Sequence, residues 1–253
     1  GLTGQIHEQC FWKHWDRRDE LYRAIAGCGA AIAIGRHTKY FNFVRCPAGW
    51  VYSDGLAVFA SGDWEVFSVL QSAIYFVWAD TFKTSLGETA RFSMKDCFRN
   101  FPPPIAAGRL WGVGLELLSS LGESFHACRM NTSLRRTIGL TDLYNCLHET
   151  AQPDADIQQL RNYHIEIDKA VADAYGWSDL DLGHGSQQTK QGLRFTISES
   201  ARREILARLL KLNHERYAEE GKKGLHKKKP KATKSRTKKT TANSEPGLFS
   251  DED

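Results

Sequence analysis

The sequence predicts an α+β fold in three parts. A mixed α/β domain occupies residues 1–104, a mainly helical segment residues 105–221, and a disordered Lys-rich tail with an acidic end residues 222–253. Three observations predict this. Short aromatic and aliphatic runs broken by Gly and Pro fill the first hundred residues, while later segments carry apolar residues at three- and four-residue spacing. Pro102-Pro103-Pro104 fixes φ three times in succession, which favours an extended arm and marks a domain boundary. From Lys222 on, nine Lys and one Arg against four acids sum to +6, which leaves residues 1–221 at −2 within a net charge of +4.

Along the chain, Phe11 to Ala26 reads as an amphipathic helix ended by Gly27 and Gly29. Ala30 to Ile34, Tyr40 to Val44 and Gly55 to Phe59 read as strands between Gly and Pro. Asp63 is the expected N-cap of one helix from Trp64 to Ala79, with Phe67, Leu70, Ile74 and Val77 on one stripe. Short helices are expected at Leu110 to Leu121 and Glu123 to Arg136. Ile157, Leu160, His164, Ile167, Val171 and Ala174 trace a helix face that stops at Gly176. Thr196 or Ser198 opens a last helix running to Glu220. The segment Lys227 to Lys239 has too little apolar content to offset its ordering entropy and is expected to be disordered.

Composition excludes several classes. With 41% hydrophobic and 25% charged residues the chain is an ordinary core-forming sequence, and its most apolar run, Trp64 to Ala79, is interrupted by Glu65, Ser68, Gln71 and Ser72. A membrane span is therefore not expected. Residue 1 is Gly and no secretion signal follows, so the chain reads as a cytoplasmic piece of something longer. The six cysteines form no CxxC and have no paired His spacing, so free thiols are expected and no metal site.

No catalytic apparatus emerges from the residues. Asn100-Phe101-Pro102-Pro103 has its aromatic before the prolines, whereas an amino-methylating motif needs it after them to stack on an extruded base. Gly112-Val113-Gly114 lacks a preceding strand and is expected inside a helix. Glu166-Ile167-Asp168-Lys169 puts Ile167 where a metal-dependent nuclease needs an acid. His164 sits on an apolar stripe and reads as a satisfied core histidine.

Four ordered stretches nevertheless resemble one family. They are VLQSAIYFVWA within 64–79, RFSMKDCFRNFPPP at 91–104, GLTDLYN and ADIQQLRNYHIEIDKAVADAYGW within 138–177, and QGLRFTISESARREILARLLKLNHERYAEE at 191–220. In this order they resemble the C-terminal half of type IIG restriction-modification methyltransferases and their phage-defence relatives. The resemblance implies that residues 1–104 are a DNA target-recognition domain, incomplete at its N-terminus. It also implies an adenine-specific methyltransferase core elsewhere in the parent polypeptide, joined to this chain or as a separate subunit. That core would use S-adenosylmethionine, so no cofactor is expected in this chain. Double-stranded DNA is the expected partner.

The resemblance places base-reading positions at Gly87, Glu88 and Thr89, followed by Arg91 and Ser93. Glu88 would accept from cytosine N4, Thr89 would contact a thymine methyl, and Arg91 would reach guanine or phosphate. An ordinary polar surface turn is the alternative for this loop. Arg36, His37, Lys39 and Arg45, interleaved with Tyr40, Phe41 and Phe43, suit backbone contact. Equally, that run could be a strand with Tyr40, Asn42 and Val44 on its buried face. Lys227, Lys228 and Lys229 would add nonspecific attraction to the DNA backbone. The competing function is a protein-docking module, with helices 157–175 and 199–220 against a methyltransferase or nuclease subunit. A self-contained enzyme is disfavoured by the missing motifs.

Overall fold

In the computed structural model, which describes residues 18–86, 89–106, 108–112 and 114–224, the run Ala30-Ala31-Ile32-Ala33-Ile34 makes the central strand of the N-terminal sheet. α1 (Asp19–Ile25) leads into β1 (Ala30–Gly35), followed by β2 (His37–Thr38), β3 (Val44–Pro47) and β4 (Leu56–Phe59). β3 and β4 pair antiparallel with the two edges of β1. β1 is apolar on both faces because both faces are covered. Ile32 and Ile34 enter the main core, and Ala31 and Ala33 pack with Ile25 and Tyr52 on the other side. The helix expected from Phe11 is seen only as α1, since residues before Arg18 lie outside those described.

The strand expected at Tyr40 to Val44 begins only at Val44. Tyr40 and Phe43, three residues apart, are both buried, and the Asn42 N–H donates to the Tyr40 carbonyl at 2.8 Å. Such a turn cannot keep the alternation a strand needs. The helix expected over Trp64 to Ala79 is two helices, α2 (Trp64–Gln71) and α3 (Ala73–Phe82). Ser72 breaks them in an extended conformation; its Oγ donates to Val69 O at 2.7 Å and accepts from Tyr75 N. The freed Ala73 N–H donates to the buried Asp168 carboxylate at 2.6 Å. No Gly or Pro marks this break, so local sequence does not announce it.

β5 (Thr84–Leu86) and β6 (Thr89–Arg91) form a hairpin whose β6 also pairs with β2. A π-helical turn, Met94–Phe98, is capped by Ser93 Oγ. The proline arm then runs against two later helices, with Pro102 O accepting from Tyr175 Oη at 2.8 Å and Pro103 O from Arg216 Nη1 at 2.7 Å. A short ribbon, β7 (Ile105–Ala106) with β8 (Arg109–Leu110), precedes α4 (Glu116–Arg136). Gly112 and Gly114 lie in the positive-φ turn before α4, not inside a helix.

α4 is one helix of 21 residues where two short ones were expected. Gly122 suggested a stop but serves a crossing: a Cβ there would lie 2.7 Å from Trp64 O and 2.4 Å from Ser68 Oγ on α2. α5 (Leu140–His148) and the hairpin β9 (Gly185–Thr189) with β10 (Gly192–Thr196) were not foreseen. α6 (Ala155–Ala174) and α7 (Glu199–Lys222) bear out their expected helices, α7 opened by Ser198 Oγ accepting from Ala201 N at 3.2 Å.

One hydrophobic core joins Ile32 and Phe43 of the sheet region to Phe67 and Trp78, then to Leu160 of α6 and Ile205 of α7. Among the described residues, those up to Arg216 form one compact unit and those from Tyr217 on belong to a second. The expected disorder at Lys227 to Lys239 falls outside the described residues. No helix among the described residues is long and apolar enough to cross a membrane.

The α2–α4 crossing gives a direct test. Gly122→Ala is expected to lower stability by about 1–3 kcal/mol through overpacking against α2 backbone. Gly49→Ala, in an exposed turn where an added Cβ meets nothing within 4 Å, is expected to be near neutral. Urea denaturation of both variants checks this.

Candidate nucleic-acid interface

Two features offer themselves for binding, and they are built from different segments. The first is the three-stranded sheet in the order β2-β6-β5. Its register sets His37 opposite Arg91 and Thr38 opposite Ala90, so two clusters that are separate in sequence meet on adjacent strands. Arg36, His37 and Arg91 are all exposed. The strand is anchored by its backbone, since Arg36 N–H donates to Gly55 O and Phe92 N–H donates to Arg36 O, each at 2.8 Å. Phe92, next to Arg91, is 2% exposed and locks β6 onto the core. Leu86 pairs with Thr89 across the hairpin end; Gly87 and Glu88 between them lie outside the described residues.

The remaining expected residues have other settings. Ser93 donates to Asp96 Oδ2 at 2.8 Å and accepts from Asp96 N–H at 3.3 Å, so its hydroxyl is engaged in capping the π turn. Arg45, on β3, donates to Gly62 O at 2.8 Å and lies over the Trp64 ring at 4.4 Å. Lys39 is exposed, and its ammonium donates to Asn145 Oδ1 at 2.9 Å. Lys227, Lys228 and Lys229 lie outside the described residues.

The second feature is a cleft of about 770 Å³ between α3, the β9–β10 hairpin and the start of α7, floored by Tyr40 and by residues of α5 and α6. Of the residues expected from sequence to contact DNA, Lys39 alone lines it, beside Tyr40 and Phe41 of the same run. On its floor Tyr40 is the hub. The Tyr40 hydroxyl donates to Asn145 Oδ1 at 2.8 Å and accepts from Arg194 Nη1. The Arg194 guanidinium lies 4.8 Å from the Tyr40 ring centroid, and His148 and Tyr144 pack on the same ring at 5.2 and 5.7 Å. Sequence reading missed this cleft because the β9–β10 hairpin was missed. Its signal was present, an alternating pair of short runs around Lys190-Gln191-Gly192, with Gly192 at φ +95°.

Histidines around the core are held neutral. Burial, then Arg194, lowers His148 to about 3. Burial lowers His164 to about 4, partly offset by Asp168, and burial with Arg129 and Arg45 lowers His126 to about 4. Arg129 is fully buried and donates to Phe43 O at 2.7 Å, with Phe125 and Phe67 rings 5.0 and 5.6 Å away. Its charge raises the cost of any proton nearby.

Among the described residues no group of His, Cys, Asp or Glu could hold a metal ion. The strand-to-helix turn from β4 to α2 has a single glycine, Gly62, which is packed on Ala30: a Cβ would lie 2.8 Å from Ala30 O. That turn is packed against β1 and carries one glycine, so it does not have the pattern of a glycine-rich S-adenosylmethionine loop.

No family model and no curated protein matches the sequence. The fold has a solved counterpart. It is similar to part of a restriction-modification enzyme. Over 76% of this chain, at a TM-score of 0.51 and 14% identity, it matches the type IIL restriction-modification enzyme MmeI, whose structure was solved in complex with DNA. The chain spans about 22% of the length of that enzyme. At this identity the likeness is one of fold.

The neutral histidines predict a pH dependence. Their folded pKa values lie below the unfolded value of about 6.5, so the unfolded state takes up protons first as pH falls. The stability they contribute is complete above about pH 6.5 and is lost progressively toward about pH 4. Each can contribute at most about 1.4 kcal/mol per pH unit in that window. The urea midpoint is expected to fall from pH 7 to pH 5, and to fall less in His164→Gln.

Proposed function

We propose that this chain is the DNA target-recognition part, with an attached helical segment, of an adenine-specific DNA methyltransferase of a restriction-modification or phage-defence system. The observation that carries the reading is the pairing of β2 with β6. It sets exposed His37 opposite exposed Arg91 on adjacent strands, with exposed Arg36 immediately before β2. The fold likeness to an enzyme solved in complex with DNA supports it. Base edges are distinguishable in the major groove, where the end of the β5–β6 hairpin, beyond its pairing with β2, would be presented.

In this reading Glu88, Thr89 and Arg91 contact base edges, and Gly87 lets the hairpin approach closely. Arg36 and His37 hold phosphates and fix the register. Lys39 and Arg45, with protein partners of their own, contribute charge. The tail from Lys222 on adds salt-sensitive attraction. The methyl donor, S-adenosylmethionine, and the groups that use it belong to the methyltransferase core of the parent polypeptide or a partner subunit, in the cytoplasm. The docking alternative has less support, because the apolar faces of α6 and α7 are buried in the chain's own core.

The expected outcomes separate base contacts from phosphate contacts. In duplex titrations of the full chain, Arg91→Ala weakens binding to the preferred sequence by about tenfold, in line with ~1–3 kcal/mol for a base contact. Glu88→Ala and Thr89→Ala change which sequence is preferred. Arg36→Ala weakens all sequences alike and reduces the salt slope. An unchanged sequence preference in Glu88→Ala and Thr89→Ala would overturn the base-reading assignment.

A further inference from the structure

The cleft between α3 and the β9–β10 hairpin has charge left over. Six cations line it, Lys39, Lys83, Lys190, Arg194, Arg202 and Arg203, against three carboxylates, Asp80, Asp168 and Glu199. The carboxylates are all engaged. Asp80 pairs with Lys83 and Arg202, and Glu199 pairs with Arg202 and Arg203. Asp168 accepts from Ala73 N–H and from His184 Nε2 at 2.6 and 2.8 Å. Lys39, Lys190 and Arg194 have no carboxylate within ion-pair distance among the described residues.

Two of these unmatched cations share one tyrosine. Lys39 Nζ lies 5.3 Å and Arg194 Cζ 4.8 Å from the Tyr40 ring centroid, and a hydrogen-bonded path through Asn145 Oδ1 and Tyr40 Oη joins them. Arg194 Nε and His148 Nδ1 are buried with no hydrogen-bond partner. Two positive charges gathered at one tyrosine, beside unpartnered polar atoms, call for an anion. His148 bears on the same point, since burial first, then Arg194 and to a smaller extent Arg161 and Lys39, keep its ring from taking a proton.

Aromatic surface lies in the same cleft. Phe41 and Phe76 line it half-buried, edge to face with centroids 5.9 Å apart, and the Arg202 guanidinium stands 5.6 Å from the Phe76 ring. The exposed amides of Gln188 and Gln191 stand at the rim and can both donate and accept. A ring with polar edges finds there a stacking face and groups for its edge.

We propose that this cleft binds a nucleotide, its phosphate between Lys39 and Arg194 and its base against Phe41 and Phe76. The site adjoins the β2–β6–β5 sheet, since Ala90 of β6 lines it, and its proposed ligand goes beyond the reading of a DNA sequence. The same chemistry has two sources, a free mononucleotide or a nucleotide of single-stranded DNA.

The test is calorimetric titration of the full chain with deoxyadenosine 5′-monophosphate, with inorganic phosphate and with a five-nucleotide single strand. The mononucleotide or the strand is expected to bind at least about tenfold tighter than inorganic phosphate, the worth of one stacking contact. Arg194→Gln and Lys39→Gln are each expected to weaken that binding about tenfold, the worth of one charge-assisted contact. Exposed Lys39 can be changed without touching the core, so Lys39→Gln should keep the parent's melting temperature. Preference for the strand assigns the site to DNA, and preference for the mononucleotide assigns it to a soluble ligand. Phosphate bound as tightly as nucleotide, no binding at all, or unchanged affinity in both variants would overturn the proposal. Arg91→Ala is expected to leave this titration unchanged, so the nucleotide site and the sequence-reading hairpin can fail separately.

Discussion

The buried carboxylate of Asp168 fixes the geometry on which the rest depends. It stands on α6 at 3% exposure and accepts from the first N–H of α3 and from His184 at the approach to β9. The α3 N-terminus carries partial positive charge, so a carboxylate is well placed there. A continuous helix through Ser72 would have no free N–H for Asp168, and the acid would lose a partner it cannot replace in the interior. The break at Ser72 turns α3 out of line with α2. That turn sets where the β5–β6 hairpin leaves the core and opens one wall of the cleft. One interaction thus orients both candidate binding features.

What the sequence made legible followed from periodicity and caps. The stripe from Ile157 to Ala174, the stop at Gly176 and the Ser198 cap were all readable because each is local. What it hid was decided by distant partners. Ser72 breaks a helix with the help of an acid 96 residues away in sequence, a pairing no window contains. Gly122 reads as a breaker but is the point where α4 crosses α2 in backbone contact. Tyr40 to Phe43 carried strand-like composition, yet two buried aromatics three residues apart required a turn. The candidate site shows the same division. Basic and aromatic residues at 36–45 and the loop after α3 were visible as clusters, but their junction through His37 and Arg91 is a strand pairing. The cleft stayed hidden because its cations come from four separate segments of the chain.

The charge distribution gives the two features different characters. On and beside the sheet, Arg36, His37 and Arg91 are exposed to solvent, which suits rapid, salt-sensitive encounter with a polyanion. In the cleft, Arg194 is partly buried and fixed by Tyr40, which suits one small anion held in one orientation. The carboxylates near the cleft organise its walls and leave its floor positive. A rigid core behind both, with Phe92 anchoring β6 and Tyr40 anchoring the cleft, keeps the ordering cost of binding low.

The central claim is that the folded part of the chain reads DNA sequence through the hairpin that follows α3. The most direct measurement is selection from a randomised duplex library by residues 1–221, with the cationic tail removed, at about physiological salt, where nonspecific backbone attraction is weak. The account predicts enrichment of one short motif. Salt-sensitive retention with no enriched motif, or no retention once the tail is gone, would contradict it.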